Sequence, residues 1–430
     1  MIPPFCIGRG APATAIAASE QEALLQELLR RAGRPLRRVL LLPPDFTRFN
    51  SGAGALCRIL HRLLSPTAQV DIMPALGTHA PMTEAELRTM FGPEIPLASF
   101  KVHDWRHEIR HLGDVPGELL RDWSEGRVDY SVRIEVNKIL FAGYDLILSL
   151  GQIVPHEVVG MANYTKNLMV GVGGADIINK SHFLGASYGM ERIMGRADTP
   201  VRRLFDHAAA TFLGELPILF VQTVMQKDKG SGGMAMRGLF LGAGAEPFQR
   251  GARLSQQVNL DLLARPLRKV VVYLDPAEFK STWLGNKAIY RTRMAMADQG
   301  ELVILAPALK EFGEDPEINR LIQKYGYHGT PATLAAVRDH AELRHNLSAA
   351  AHLIHGSSEG RFTITYCPGP HISRAAVEAV GFQTADLDAM LRRYDPAKLQ
   401  DGPNTLPDGE EIFFISNPAL GLWALKKDFA

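Results

Sequence analysis

Short apolar runs punctuate this chain, bounded by proline or glycine and separated by stretches with helical patterning. They are Val39–Leu42, Val70–Met73, Leu146–Leu150, Ile218–Val221, Val270–Leu274, Leu302–Leu305 and Phe362–Tyr366. A strand that is apolar at every position has no face left for water, and helices between successive strands supply the cover it needs. The pattern predicts an α/β fold with mainly parallel sheets flanked by helices. At 430 residues the chain has room for two such domains. The boundary is read near Leu263–Pro266, just before the strand that starts at Lys269. This gives one domain over 1–264 and another over 267–408. A last strand, Glu411–Ile415, lies in a segment of about 410–430 that can return to the first domain.

Helix starts are legible in places. Ser19 with Glu22 and Thr83 with Glu86 fit the capping box, and Thr330 before Pro331 reads as a cap followed by a first-turn proline. Composition narrows the partners. A formal net charge of +1, with 46% hydrophobic and 22% charged residues, predicts neither a nucleic-acid nor a membrane-surface partner. Cys6, Cys57 and Cys367 stand far apart and form no CxxC pair, so reduced thiols are expected. The N-terminal stretch lacks a charged region followed by an apolar run, which predicts a cytoplasmic protein.

In open α/β sheets the loops at the carboxyl ends of strands carry the chemistry. Polar clusters fall at such places: Asp45-Phe46-Thr47-Arg48, Gly77-Thr78-His79, and the stretch from Gly151 to His156. Beyond His156 the chain is rich in glycine, with Gly160, Gly171, Gly173 and Gly174 around Lys166 and His182. Such a stretch is either a flexible loop with surface histidines or a backbone that approaches a phosphate closely. His79 and His156 both follow predicted strands, and a pair of imidazoles flanking a bound molecule can act as general base and general acid. Arg48 suits a bidentate carboxylate clamp, or else it pairs with Asp45 on the surface. Lys287 is a second candidate anion contact, or an ordinary exposed helix lysine. His103, His107 and His111 recur every four residues; on a helix they would share a face, read as solvated rather than as a metal site.

Taken together these residues resemble the lactate racemase family. Asp45 to Arg48 looks like its DxTR motif, and Gly77-Thr78-His79 with Pro81-Met82-Thr83-Glu84 looks like its GTHRPMTxxE motif. His156, Lys166 and His182 match its His, Lys and His at separations of 10 and 16 residues. Trp283 to Ala288 resembles the second-domain segment that carries an aromatic residue and a lysine.

The resemblance implies a racemase or epimerase, an isomerase inverting C2 of a 2-hydroxy acid, with the active site in the cleft between two domains. It implies a nickel-pincer nucleotide (pyridinium-3-thioamide-5-thiocarboxylic acid mononucleotide nickel) and the enzymes that make it as partners. By that match Lys166 is tethered to the nucleotide and His182 is the nickel ligand. Gly171, Gly173 and Gly174 line the cofactor, and Asp45 lies near it or supports Arg48. His79 and His156 are the acid/base pair, and Arg48, Lys287 and Trp283 contact the substrate.

The sequence also departs from the family. Gly160 to Thr165 replaces a glycine-serine-glycine run, Trp283 and Leu284 stand where a Tyr-Gln pair is usual, and Ala80 replaces the arginine of GTHR. The substrate expected is therefore not lactate, and Asn163, Tyr164 and Thr165 suggest hydroxyl contacts to a sugar acid such as an aldonate. Two other readings remain: a cofactor-binding protein without turnover, and a zinc hydrolase using His79, His156 and His182 as ligands.

Overall fold

The structure, a computed structural model, describes residues 2–33, 35–228 and 233–429. The chain divides into two compact units, one of residues 1–184 and 192–259, the other of residues 185–191 and 260–430.

In the first unit, six strands among the described residues form one sheet: β1 (Phe5–Gly10), β2 (Arg38–Leu42), β3 (Gln69–Ile72), β4 (Leu146–Gln152), β5 (Ile218–Lys227) and β6 (Met234–Ala243). Their spatial order is β1-β6-β5-β4-β2-β3. β3, β2, β4 and β5 run parallel, whereas β6 and β1 close the sheet antiparallel. Every side chain from Val39 to Leu42 is inaccessible to solvent, as expected for a strand covered on both faces. The helix Ala53–Leu64 buries Leu56, Cys57 and Leu60 in the same core as Leu41, Leu148 and Leu239. Because β2 lies between β3 and β4, the loops leaving these three parallel strands emerge side by side. Pairing even continues past the strands, with Pro44 bridged to Ala75.

The second unit holds the other six-stranded sheet: β7 (Leu267–Tyr273), β8 (Met296–Ala306), β9 (Thr363–Pro368), β10 (Gln383–Thr384), β11 (Gly402–Thr405) and β12 (Glu411–Ile415). The order is β10-β9-β8-β7-β12-β11, parallel throughout except for β11. The C-terminal segment does not return to the first unit. β12 pairs in parallel with β7, and Trp423–Leu425 pairs with Asp261–Leu263. That second pairing also draws the chain into the second unit from residue 260, a few residues before the expected boundary.

Two helix starts differ from the sequence reading. The first helix runs Ala18–Arg31 with Ala17 at its cap, so Ser19 lies inside the first turn. Gly329 caps the helix Thr330–Asp339, because the Thr330 hydroxyl and amide are engaged by Glu359. The Thr83–Glu86 capping box forms as expected. His103 is on no helix. It is buried, takes a hydrogen bond from Asn137 Nδ2 at 3.0 Å and donates from Nε2 to the Gly173 carbonyl at 3.1 Å. His107 and His111 remain exposed, each beside an aspartate. No described helix is long and apolar enough to cross a membrane.

Candidate active site

Asp45, His79 and His156 come from the loops after β2, β3 and β4. Asp45 is 5% exposed, and its Oδ2 accepts from His79 Nδ1 at 2.6 Å while Oδ1 accepts from Thr47 at 2.5 Å. The surface pair with Asp45, the alternative reading of Arg48, is not formed. Asp45 is committed to His79, and among the described residues no carboxylate pairs with the exposed Arg48 guanidinium. Burial pushes the Asp45 carboxyl up, but the His79 and Thr47 hydrogen bonds and the charge of Arg48 outweigh it and hold the group below the usual range.

Lys166 precedes a five-residue π-turn, Asn167–Gly171, an irregular geometry that recurs at functional sites. Asn167 fixes this turn to the carboxyl ends of the strands. Its Nδ2 donates to the Leu42 carbonyl at 2.9 Å and to the Ser149 hydroxyl at 3.0 Å. Burial, together with the charges of Arg48 and Arg202, lowers the Lys166 amine to about 8, against the opposing pull of Glu157 and Asp45.

His182 lies on the helix Ala175–Tyr188, and its Nδ1 donates to the Ile178 carbonyl at 2.6 Å. The ring proton is thereby fixed on Nδ1, and Nε2 carries the lone pair a metal needs. His156 is 5% exposed and has the opposite arrangement: the Val158 backbone N–H donates to its Nδ1 at 3.1 Å. A backbone N–H can only donate, so neutral His156 holds its proton on Nε2. His79, donating from Nδ1 to Asp45, presents a bare Nε2. Burial drives His156 well below the ordinary histidine value, with Lys166, Arg48 and His182 adding to the effect and Glu157 opposing it.

The first unit thus gathers Asp45, Arg48, His79, His156, Lys166 and His182. Glu157 and Asn167 join them unannounced by the sequence reading. Glu157 Oε2 is 3.8 Å from His156 Nδ1, and its position next to His156 in the sequence was the available signal. Trp283 and Lys287 belong to the second unit. The Trp283 ring centre lies 4.3 Å from that of His352, and Lys287 sits half-buried at the start of a short helix, 3.8 Å from Glu278.

Three expectations change at this level. Asn163, Tyr164 and Thr165 are buried in contacts with Gln222, with Phe220 and Phe248, and with Asp206 and Arg202. They offer no hydroxyl contacts, and the aldonate suggestion loses the residues it stood on. The amides of Gly173 and Gly174 donate to the Val170 and Glu135 carbonyls, and a side chain at Gly173 would meet the Met169 carbonyl at 1.8 Å. What these glycines provide is close packing. Finally, among the described residues no three His, Cys, Asp or Glu side chains stand together to hold a metal, which removes the three-histidine zinc reading.

The motif residues lie on one sheet edge, in the order the DxTR, GTH and His-Lys-His segments demand, and the sequence comparison covers the same ground. Residues 9–191 match the lactate racemase N-terminal domain family. No curated protein sequence matches the chain. The crystal structure of a protein from Thermotoga maritima is similar at 21% identity and a TM-score of 0.79, covering 97% of this chain and 99% of that one. The lactate racemase apoprotein from Thermoanaerobacterium thermosaccharolyticum is similar at 15% identity and a TM-score of 0.69, covering 97% and 94%. At such identities the likeness is one of fold, and it extends the lactate racemase-like architecture over both units.

The low values of His103, His156 and His182 make stability depend on pH. Below about 6.5, the ordinary histidine value, the unfolded chain binds protons that the folded chain does not, so stability falls as pH drops. Above that pH these groups contribute no slope. Urea unfolding between pH 5 and 8 is expected to show this decline, and His156→Gln should flatten it.

Proposed function

We propose that this protein is a 2-hydroxy-acid racemase or epimerase that works with a nickel-pincer nucleotide. The observation that carries the reading is the complementary preparation of Lys166 and His182: one a half-buried amine lowered towards neutrality, the other an imidazole with Nδ1–H fixed and Nε2 bare. A lysine tether requires a neutral amine, and nickel accepts an imidazole nitrogen, so this donor set fits the group. Lys166 would tether the nucleotide and His182 would bind its nickel. When bound, the nucleotide supplies the hydride chemistry at C2 of the substrate.

The chain's own residues serve the oxygen and the carboxylate. Arg48, which pairs with no carboxylate among the described residues, seats the substrate's carboxylate. His79 takes the hydroxyl proton on Nε2, and Asp45 stabilises the imidazolium that results. His156 donates its Nε2–H to the same oxygen. The planar keto acid then offers its other face, and the proton returns to the oxygen.

The test is to produce the protein together with the cofactor-synthesis enzymes and measure its mass and nickel content. The expected result is a nickel-bearing adduct on Lys166, absent in Lys166→Ala and depleted of nickel in His182→Ala. Protein that emerges with neither adduct nor nickel would refute the reading.

A further inference from the structure

The segment leading to Lys166 has a backbone that its sequence does not favour. Asn163 and Tyr164 take φ of 66° and 60° in succession, a left-handed conformation that non-glycine residues rarely adopt even singly. Side chains hold it there. The Tyr164 ring sits between Phe220, at 4.5 Å, and Phe248, stacked at 5.1 Å. Asn163 Nδ2 donates to Gln222 Oε1 at 2.9 Å.

The organising group is Arg202, on the helix Pro200–Leu213, with 3% exposure. Its Nη2 donates to the Met161 carbonyl at 2.7 Å and the Asn163 carbonyl at 3.2 Å, and its Nη1 donates to Thr165 Oγ1 at 2.6 Å. The guanidinium carbon lies 4.3 Å from the centre of the Phe248 ring. One planar fork thus fixes alternate residues of the segment that ends at Lys166. Its nearest carboxylate, Asp206, is 3.8 Å away, and its Nε is buried without a hydrogen-bond partner. A buried cation kept with one N–H unsatisfied is a poor device for stability alone.

We propose that Arg202 is a positioning residue for Lys166: its fork holds the left-handed Asn163–Tyr164 pair and so sets where the Lys166 amine stands. This rests on Lys166 being the cofactor anchor. It also accounts for a loop that reaches the lysine without the glycine run of the family. A lysine in place of Arg202 keeps the charge but loses the fork, which separates shape from electrostatics.

The test uses the full chain without cofactor. Lys166 is acetylated with an N-hydroxysuccinimide ester across pH, and the extent is read by peptide mass spectrometry with the 82% exposed Lys398 as internal standard. The groups acting on the Lys166 amine are Arg48, Glu157, Arg202 and Asp45, with His156 and His182 also within reach of its charge, and the wild-type midpoint is expected at about 8. Both R202K and R202M should move the midpoint up by a unit or more and leave Lys398 unchanged. Adding Asn163→Gly, which accepts the positive φ without help, should bring R202K part of the way back. A wild-type midpoint in R202K would mean that charge suffices and would overturn the proposal, as would no shift in R202M. If R202M does not fold, R202K with and without Asn163→Gly decides alone. Because the amine is read without cofactor, a wild-type protein that never acquires nickel refutes the function reading and leaves this result standing.

Discussion

Replacing His79 with glutamine in the cofactor-loaded protein is expected to lower kcat by roughly 10³-fold, within the range typical of a group that moves a proton in the transition state. His156→Gln should cost only about tenfold, the loss of one hydrogen bond to a charged oxygen. The difference follows from proton placement. His79 donates to Asp45 from Nδ1, so its Nε2 is free to accept and the resulting imidazolium has a carboxylate beside it. His156 receives the Val158 N–H on Nδ1, and its burial among Arg48, Lys166 and His182 opposes a second proton. A side chain in that state can donate a hydrogen bond but cannot take the hydroxyl proton. If the two imidazoles exchanged protons as equals, the two variants would fall by the same factor, and steady-state kinetics with both would show it. A cofactor-binding protein without turnover would be indifferent to both.

The second large effect concerns stability. Arg293→Met is expected to destabilise the second unit by about 2–4 kcal/mol, mainly the cost of leaving two buried carbonyls without their donor, with a smaller part from Glu191, whose carboxylate is a third exposed. Arg293 is 1% exposed and donates from Nη1 to the carbonyls of Ile354, at 3.0 Å, and Ser357, at 2.9 Å. Its Nε lies 2.9 Å from Glu191, in the 185–191 stretch that belongs to this unit. Methionine fills much of the space but leaves two buried carbonyls and a carboxylate without their donor. The unfolding transition of a unit this size should drop by about 10 °C. Hydrogen exchange should localise the loss to peptides around 185–191 and 347–357. A drop of less than about 2 °C would show that water replaces the guanidinium without cost.

Much of this architecture was legible because burial on both faces leaves a plain mark. Val39–Leu42 and Val270–Leu274 became central parallel strands, as uninterrupted apolar runs must. Polar residues placed just after such runs do come together, since parallel strands deliver their loops to one edge. What stayed hidden depended on pairing between distant segments. Nothing local says that Asp45 prefers His79, 34 residues away, to Arg48 three residues on; that choice follows from β2 and β3 being neighbours. Asn163, Tyr164 and Thr165 read as polar ligands because side-chain type does not reveal a neighbour such as Arg202, which claims them from another helix. His103 looked helical by spacing alone, yet it is a buried link between Asn137 and Gly173. The return of the C-terminal segment was misjudged because strand order within a sheet is not written in any one strand.

The most direct test of the account is to give cofactor-loaded protein a panel of single-enantiomer 2-hydroxy acids carrying deuterium at C2 and to follow chirality and label together. The account predicts inversion of at least one acid towards an equilibrium mixture with the deuterium still on C2, because that hydrogen leaves and returns as hydride while only the hydroxyl proton passes through His79. Inversion accompanied by loss of the label to water would contradict it, as would unchanged chirality across the whole panel in protein shown to carry nickel on Lys166.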